Sequence, residues 1–316
     1  MIQLLPRFRK QINSEISRFI FKGRLTMGRL NLAELCNPVK AGGLGLVDIQ
    51  KKSDSLLLKQ TCRMLCRKGS GYKHLSYWLS SKLEEKITLH DGPRSLTRPP
   101  KLQQYILQLI LKAREENSER DLLNKTAKLL YQKEAEDLPV PKLQRNHPNL
   151  DLEPVWQRIS SPVLGVIERH TLFILVHKLV RNKEDMYLRW GQGDYTCDTN
   201  PDPEGRCAGQ PQSVKHMLQE CTRVSGAWEW LFSYLSTLLP PATLTEADCL
   251  NLLYPSLGNR QTEDCVIWLL GSCYVVMMEA TERGQVLGEQ EMRGNLRQKY
   301  AAYKMRRMRP LNLNNL

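Results

Sequence analysis

The apolar residues recur at helical intervals along most of the chain. Phe8, Ile12, Ile16, Phe19 and Ile20 form the stripe of an amphipathic helix whose other face carries Arg9, Lys10 and Arg18, and Gly23 is expected to end it. From Lys51 to Arg67 the period returns, with Leu57, Leu58, Thr61 and Leu65 inward. LQQYILQLILKAREE and SERDLLNKTAKLLYQKEAED read as two more helices, the second with Ser118 as its N-cap and Asp121 in its first turn. An apolar helix is expected near Gly165 to Val180. Val224, Trp228, Leu231, Leu235 and Leu238 step by four, three, four and three, so the helix after Cys221 is expected to lay this stripe on a core. CVIWLLGSCYVVMM, from Cys265 to Met278, is apolar all round but has 14 residues. A membrane span needs about 18, so it reads as a buried helix.

Between these stretches the pattern breaks at glycines and prolines. Gly42, Gly43 and Gly45 demand a turn or a close backbone approach before Leu46 and Asp48. TLHDGPRSLTRPP, residues 88 to 100, reads as a linker, and Pro139, Pro141, Pro148 and Pro154 mark a second irregular stretch. No strand alternation is sustained and no internal repeat is visible. The expected fold is therefore mainly α, in three parts: a basic helical region over 1–87, a linker and helical middle over 88–160, and a helical C-terminal domain over 161–316.

Charge changes the picture through its placement. The chain's formal net charge is +13, yet residues 1–73 alone hold fifteen Lys and Arg against four acids, leaving the remainder almost balanced. Such a concentration attracts polyanions, and RNA or DNA is the commonest one a basic domain meets. Arg7, Arg9, Lys10, Arg18, Lys22, Arg24 and Arg29, with only Glu15 among them, flank the first helix and its following turn and are candidate phosphate contacts. Seven further cations and no acid occupy Met292 to Arg309. The opening MIQLLPRFRK lacks the apolar run of a secretory leader, so an intracellular setting, nuclear or cytoplasmic, with reduced cysteines is expected, and no membrane partner.

Three of the nine cysteines and one of the six histidines crowd into the 25 residues from Cys197 to Cys221. Cys197, Cys207, His216 and Cys221 would complete a closed tetrahedral zinc site. Their spacing argues both ways. Four residues between His216 and Cys221 suit a zinc-finger pair, whereas the nine between Cys197 and Cys207 exceed the usual two to four. Five steps of about 100° also place His216 and Cys221 on different faces of a regular helix, so the helix must start late or distort there. An ordinary reduced loop remains the alternative.

Two blocks resemble a known family. NSEISRFIFKGR followed by AGGLGLVDI is similar to the segment just after the polymerase palm of LINE-type, non-LTR retrotransposon reverse transcriptases. VHKLVRNKEDMYLRWGQGDYTC, then QSVKHMLQEC and Trp228, resembles their C-terminal zinc-knuckle region, here residues 190–230. The order and distances agree in both, and with their flanks the blocks cover about half the chain. The resemblance implies a thumb-like helical bundle followed by a helical C-terminal part with a knuckle-like loop. It also implies a structural zinc ion on Cys197, Cys207, His216 and Cys221, and RNA and DNA backbone as partners in target-primed reverse transcription. Two features depart from the family: the nine-residue first spacing, and Gln212-Ser213 where Glu-Thr is usual. The paired palm aspartates that would hold catalytic cations are missing, since no Asp-Asp occurs in the sequence, so the chain is expected to bind without catalysing. The alternatives are a helical scaffold that meets a protein partner, or a transposon-derived remnant without function.

Other chemistry-bearing residues read as structural. Cys62 and Cys66 share a helix face, and Cys249, Cys265 and Cys273 sit in apolar company, as core thiols do. His170 and His177 are read as hydrogen-bonded or surface-seeking histidines. The six tryptophans, mostly framed by leucine or valine, read as core.

Overall fold

The computed structural model describes residues 6–20, 30–66, 101–116, 124–136, 140, 142–146, 148–191, 193–198, 205, 207–239, 245–306, 311 and 313. Lys22, Arg24, Arg29, Trp78, the stretch 88–100, Ser118 and Asp121 lie outside them. The protein is mainly α, and among the described residues no strand is formed. Backbone contacts gather the chain into two compact units: residues up to Arg18 with Leu32–Asn37 and Leu44–Val140, and Phe19–Asn31 with Pro38–Gly43 and Pro141–Leu316.

The first unit is built on α1 (Pro6–Ile20), α2 (Leu32–Leu35), α3 (Ile49–Cys66), α4 (Lys101–Glu116) and α5 (Ala127–Glu136). Both α4 and α5 pack on α3. Leu57, Leu58 and Cys62 of α3 meet Ile106, Ile110 and Ala113 of α4 and Leu130 of α5 in one apolar cluster. Each large side chain buried this way contributes about 1.5–3 kcal/mol. Thr61 is also buried, because its hydroxyl donates to the Leu57 carbonyl at 2.9 Å. The glycine box ends in the residue that starts α3: the Asp48 carboxylate accepts from the backbone N–H groups of Gln50 and Lys51 at 2.9 and 3.1 Å.

A polar chain ties α1 to this bundle. Arg9 donates to the Gln50 side chain at 2.8 Å, and Gln50 donates to the Tyr105 hydroxyl and to Asp54 at 2.6 and 2.7 Å. Tyr105 in turn donates to Asp54 at 2.6 Å; burial first, and then this bond, push its pKa well up.

The second unit holds α6 (Lys142–Asn146), α7 (Glu153–Ile159), α8 (Val166–Val176), α9 (Lys183–Trp190), α10 (Ser225–Leu238), α11 (Glu246–Asn251), α12 (Arg260–Arg283) and α13 (Glu289–Arg306). Its axis is α12, on which α8, α10 and α13 pack. Every residue from Cys265 to Met278 is buried, as the unbroken apolar run requires. At 24 residues α12 is long and apolar enough to cross a membrane, but 83% of its most apolar window is buried inside the protein, the signature of a core helix.

Close approach is set by a glycine. A Cβ at Gly271 would stand 2.9 Å from a Leu164 methyl and 3.3 Å from the Glu168 Cβ, so α8 reaches α12 only because nothing projects there. The stripe on α10 behaves largely as its spacing predicts. Val224, Trp228, Leu231 and Leu235 are buried, whereas Leu238 is half-buried and Leu239 takes the inward place, because the helix ends there.

Gly42, at φ +80°, has a second role. A Cβ there would lie 2.6 Å from the Trp156 ring, and its carbonyl accepts from His177 Nε2 at 3.0 Å. Trp156 stacks on His177 with 5.1 Å between centroids, so His177 is a half-buried, hydrogen-bonded histidine, while His170 is exposed. Arg158 is a buried cation made tolerable by its bond to the Leu252 carbonyl at 2.8 Å and by the Tyr254 ring 3.8 Å beneath it. In α13, Lys299 pairs with Glu168 at 3.2 Å and Arg293 with Glu289 at 2.8 Å, so two of the tail cations have partners within the unit.

Candidate metal centre

Few backbone bonds join the described residues of the segment from Tyr195 to Cys221. Cys197 donates to the Gln210 carbonyl and Gln212 to the Tyr195 carbonyl, each at 2.8 Å, which sets Cys197 beside the returning chain around a single Thr196–Pro211 bridge. Gln210 N–H donates to the Cys207 carbonyl at 3.2 Å and closes the turn between them. Tyr195, Gly205, Ala208, Gly209 and Gln210 are exposed, whereas Cys207, His216 and Cys221 are buried. Three of the four candidate ligands are thus turned inward, with Cys197 partly buried, among described residues that are mostly exposed.

The chain after this loop does not form a regular helix. Ser213 accepts from the His216 N–H at 3.0 Å, the hydroxyl cap that a threonine in its place would also supply. His216–Glu220 then winds as a single π turn, and the Cys221 N–H donates to the His216 carbonyl at 2.7 Å. This wider turn bonds each residue to the one five positions back. It brings His216 and Cys221, which a regular helix would set apart, onto one side. The distortion that the spacing required is present.

One donor atom from each of Cys197, Cys207, His216 and Cys221 lies within 4.8 Å of all the others. The Cys197–Cys221 and Cys207–Cys221 sulfurs are 3.9 and 3.8 Å apart. A tetrahedral ion with metal–sulfur bonds of about 2.3 Å sets its sulfurs roughly 3.8 Å apart, so the donor set fits a single metal ion.

Surrounding groups suit that role. The Thr222 N–H points at the Cys207 sulfur from 3.5 Å and its hydroxyl lies 3.4 Å away, contacts that favour a thiolate. The Glu220 carboxylate stands 3.9 Å from His216 Nδ1, beyond hydrogen-bond distance. Two cations border the cluster: Lys183 and Arg223 flank the Asp198 carboxylate at 3.3 and 3.9 Å.

The candidate phosphate contacts of α1 divide. Arg7, Lys10 and Arg18 are exposed, Arg18 in an ion pair with Glu15 at 2.8 Å. Arg9 is half-buried and directed to Gln50, which makes it a tie within the unit. Phe8, Ile12 and Phe19 are exposed too, so the apolar stripe of α1 is only partly covered.

One expectation fails. Trp156, Trp228, Trp230 and Trp268 are buried, but Trp190 is 58% exposed, and Tyr187 and Tyr195, near it in sequence, are 42% and 41% exposed. The signal was present in KEDMYLRWGQGDY, where charged and polar residues surround the aromatics and no stripe exists to bury them. No family model, no curated protein and no solved structure matches the chain.

Proposed function

We propose that this chain holds RNA or DNA by its backbone, without sequence preference and without catalysis, as the post-palm and zinc-knuckle parts of a non-LTR retrotransposon reverse transcriptase would. The observation that carries the reading is the convergence of Cys197, Cys207, His216 and Cys221, the residues that the resemblance marks as ligands, into one cluster despite their irregular spacing. Zinc is the ion that suits it. Three thiolates and an imidazole in a closed tetrahedron, with no fourth position left for water or substrate, are a structural zinc set. The exposed cations of α1 support the grip on phosphate.

Affinity for a short duplex should fall about 40-fold between roughly 50 and 200 mM salt if Arg7, Lys10 and Arg18 each neutralise one phosphate. Replacing the three together by Glu should flatten that dependence, and a flat response in the unaltered protein would sink the reading. Incubated with primed template, nucleotides and Mg²⁺, the chain should incorporate no nucleotide above background.

The exposed Phe8, Ile12 and Phe19 favour a second reading, in which α1 docks a protein partner. It predicts association that is insensitive to salt and to those charge reversals.

A further inference from the structure

We infer that Tyr187, Trp190 and Tyr195 form a shelf on which unpaired bases stack, so that the metal-bearing module takes single-stranded nucleic acid. The inference rests on the proposed function and adds a strand preference to it.

Three aromatic side chains stand out of the second unit within nine residues of sequence, each at least 41% exposed. Isolated exposed aromatics are ordinary, but a group of them is a contact surface. Their placement is fixed from two sides. On α9, Asn182 caps the helix by accepting from the Asp185 N–H at 2.7 Å, and Gly191 ends it, leaving Tyr187 and Trp190 one turn apart on the same side. Tyr195 belongs to the loop of the metal cluster: its carbonyl accepts from Gln212, and Cys197 follows two residues later. The Tyr187 and Tyr195 rings meet at 5.1 Å. Binding of the ion would thus hold one side of the shelf in place.

Charge identifies the occupant. A cleft of about 730 Å³ lies in the same unit, lined by Met186 and Asp194, the sequence neighbours of the two tyrosines, by Arg181, Lys183, Arg223 and Arg283, and by the acids Asp198 and Glu282. Within it Asp198, 60% exposed, lies between Lys183 and Arg223 as a phosphate oxygen would, so the pair is already arranged for an anion. Asp194 is turned to its own loop, accepting from the Thr196 N–H and hydroxyl at 2.8 and 2.7 Å. Aromatic faces beside a basic groove are how single strands are held. Bases stack on the rings, phosphates follow the cations, and a duplex, whose bases are already stacked, gains nothing from the rings.

The test is fluorescence anisotropy with a labelled oligothymidylate of about 15 nucleotides and a blunt duplex of equal length, at one salt concentration. Trp190→Ala and Tyr187→Ala should each weaken single-strand binding about tenfold and leave duplex binding unchanged, while Trp190→Phe retains most of it. Zinc per chain and the unfolding midpoint should match the unaltered protein, because both side chains are exposed. Asp198→Asn should strengthen binding of the single strand. Unchanged single-strand affinity in both alanine variants, with duplex binding intact, would overturn the shelf and leave the proposed function standing. Binding to neither nucleic acid would end both. Self-association lost in Trp190→Ala at constant oligonucleotide affinity would reassign the surface to a protein contact.

Discussion

His216→Ala is expected to take the chain from about one zinc ion to nearly none, and to unfasten the loop from Tyr195 to Cys221 while leaving α12 intact. The reason is local. Among its described residues the loop has exposed positions around three buried donors and few backbone bonds, so an ion bound by four groups would be a strong tie for it. Free energies of structural zinc binding reach about 10–16 kcal/mol in small fingers, far more than those few bonds supply. Hydrogen exchange should report the change. Amides of Cys197, Gln210 and Gln212 should exchange at least about a hundredfold faster in the variant or after chelation, with the centre of α12 still protected. His216→Cys should restore both metal and protection, since four thiolates close the same tetrahedron. Equal zinc content in His216→Ala and the unaltered protein would remove His216 as a ligand.

Trp228→Ala is expected to lower the stability of the second unit by about 3–5 kcal/mol, the usual cost of emptying a large aromatic site. The indole is 2% exposed and stacks against Tyr274 of α12 and Phe232 of its own helix. α10 and α12 would lose their shared contact at the centre of the unit. The thermal midpoint should fall by roughly 10 °C, given about 2–4 °C per kcal/mol for a unit of this size. Trp190→Ala, by contrast, should move it little. A Trp228→Ala protein with an unchanged midpoint would mean that α10 is not seated on α12 as described.

Helices were legible where packing repeats. The steps of four and three through Val224, Trp228, Leu231 and Leu235 state which side of α10 is buried, because a helix shows one face to a core every 3.6 residues or so. The all-apolar run from Cys265 to Met278 announced an interior helix for the same reason, although its polar flanks hid ten further residues of α12. The glycine box was legible as a turn; that Gly42 must yield to Trp156 was not, since it depends on a residue brought in by folding. Trp190 is exposed because charged and polar residues surround it in the sequence and no apolar stripe carries it into the core.

The sequence by itself determined a mainly helical chain, a cationic first region and four residues able to bind metal. Those properties follow from periodicity, charge and side-chain chemistry, which are local. Only the tertiary structure decided that the four donors meet, through a π turn and across a first spacing that spacing rules disfavour. Convergence depends on which distant segments come to lie together, and residue spacing holds no record of that.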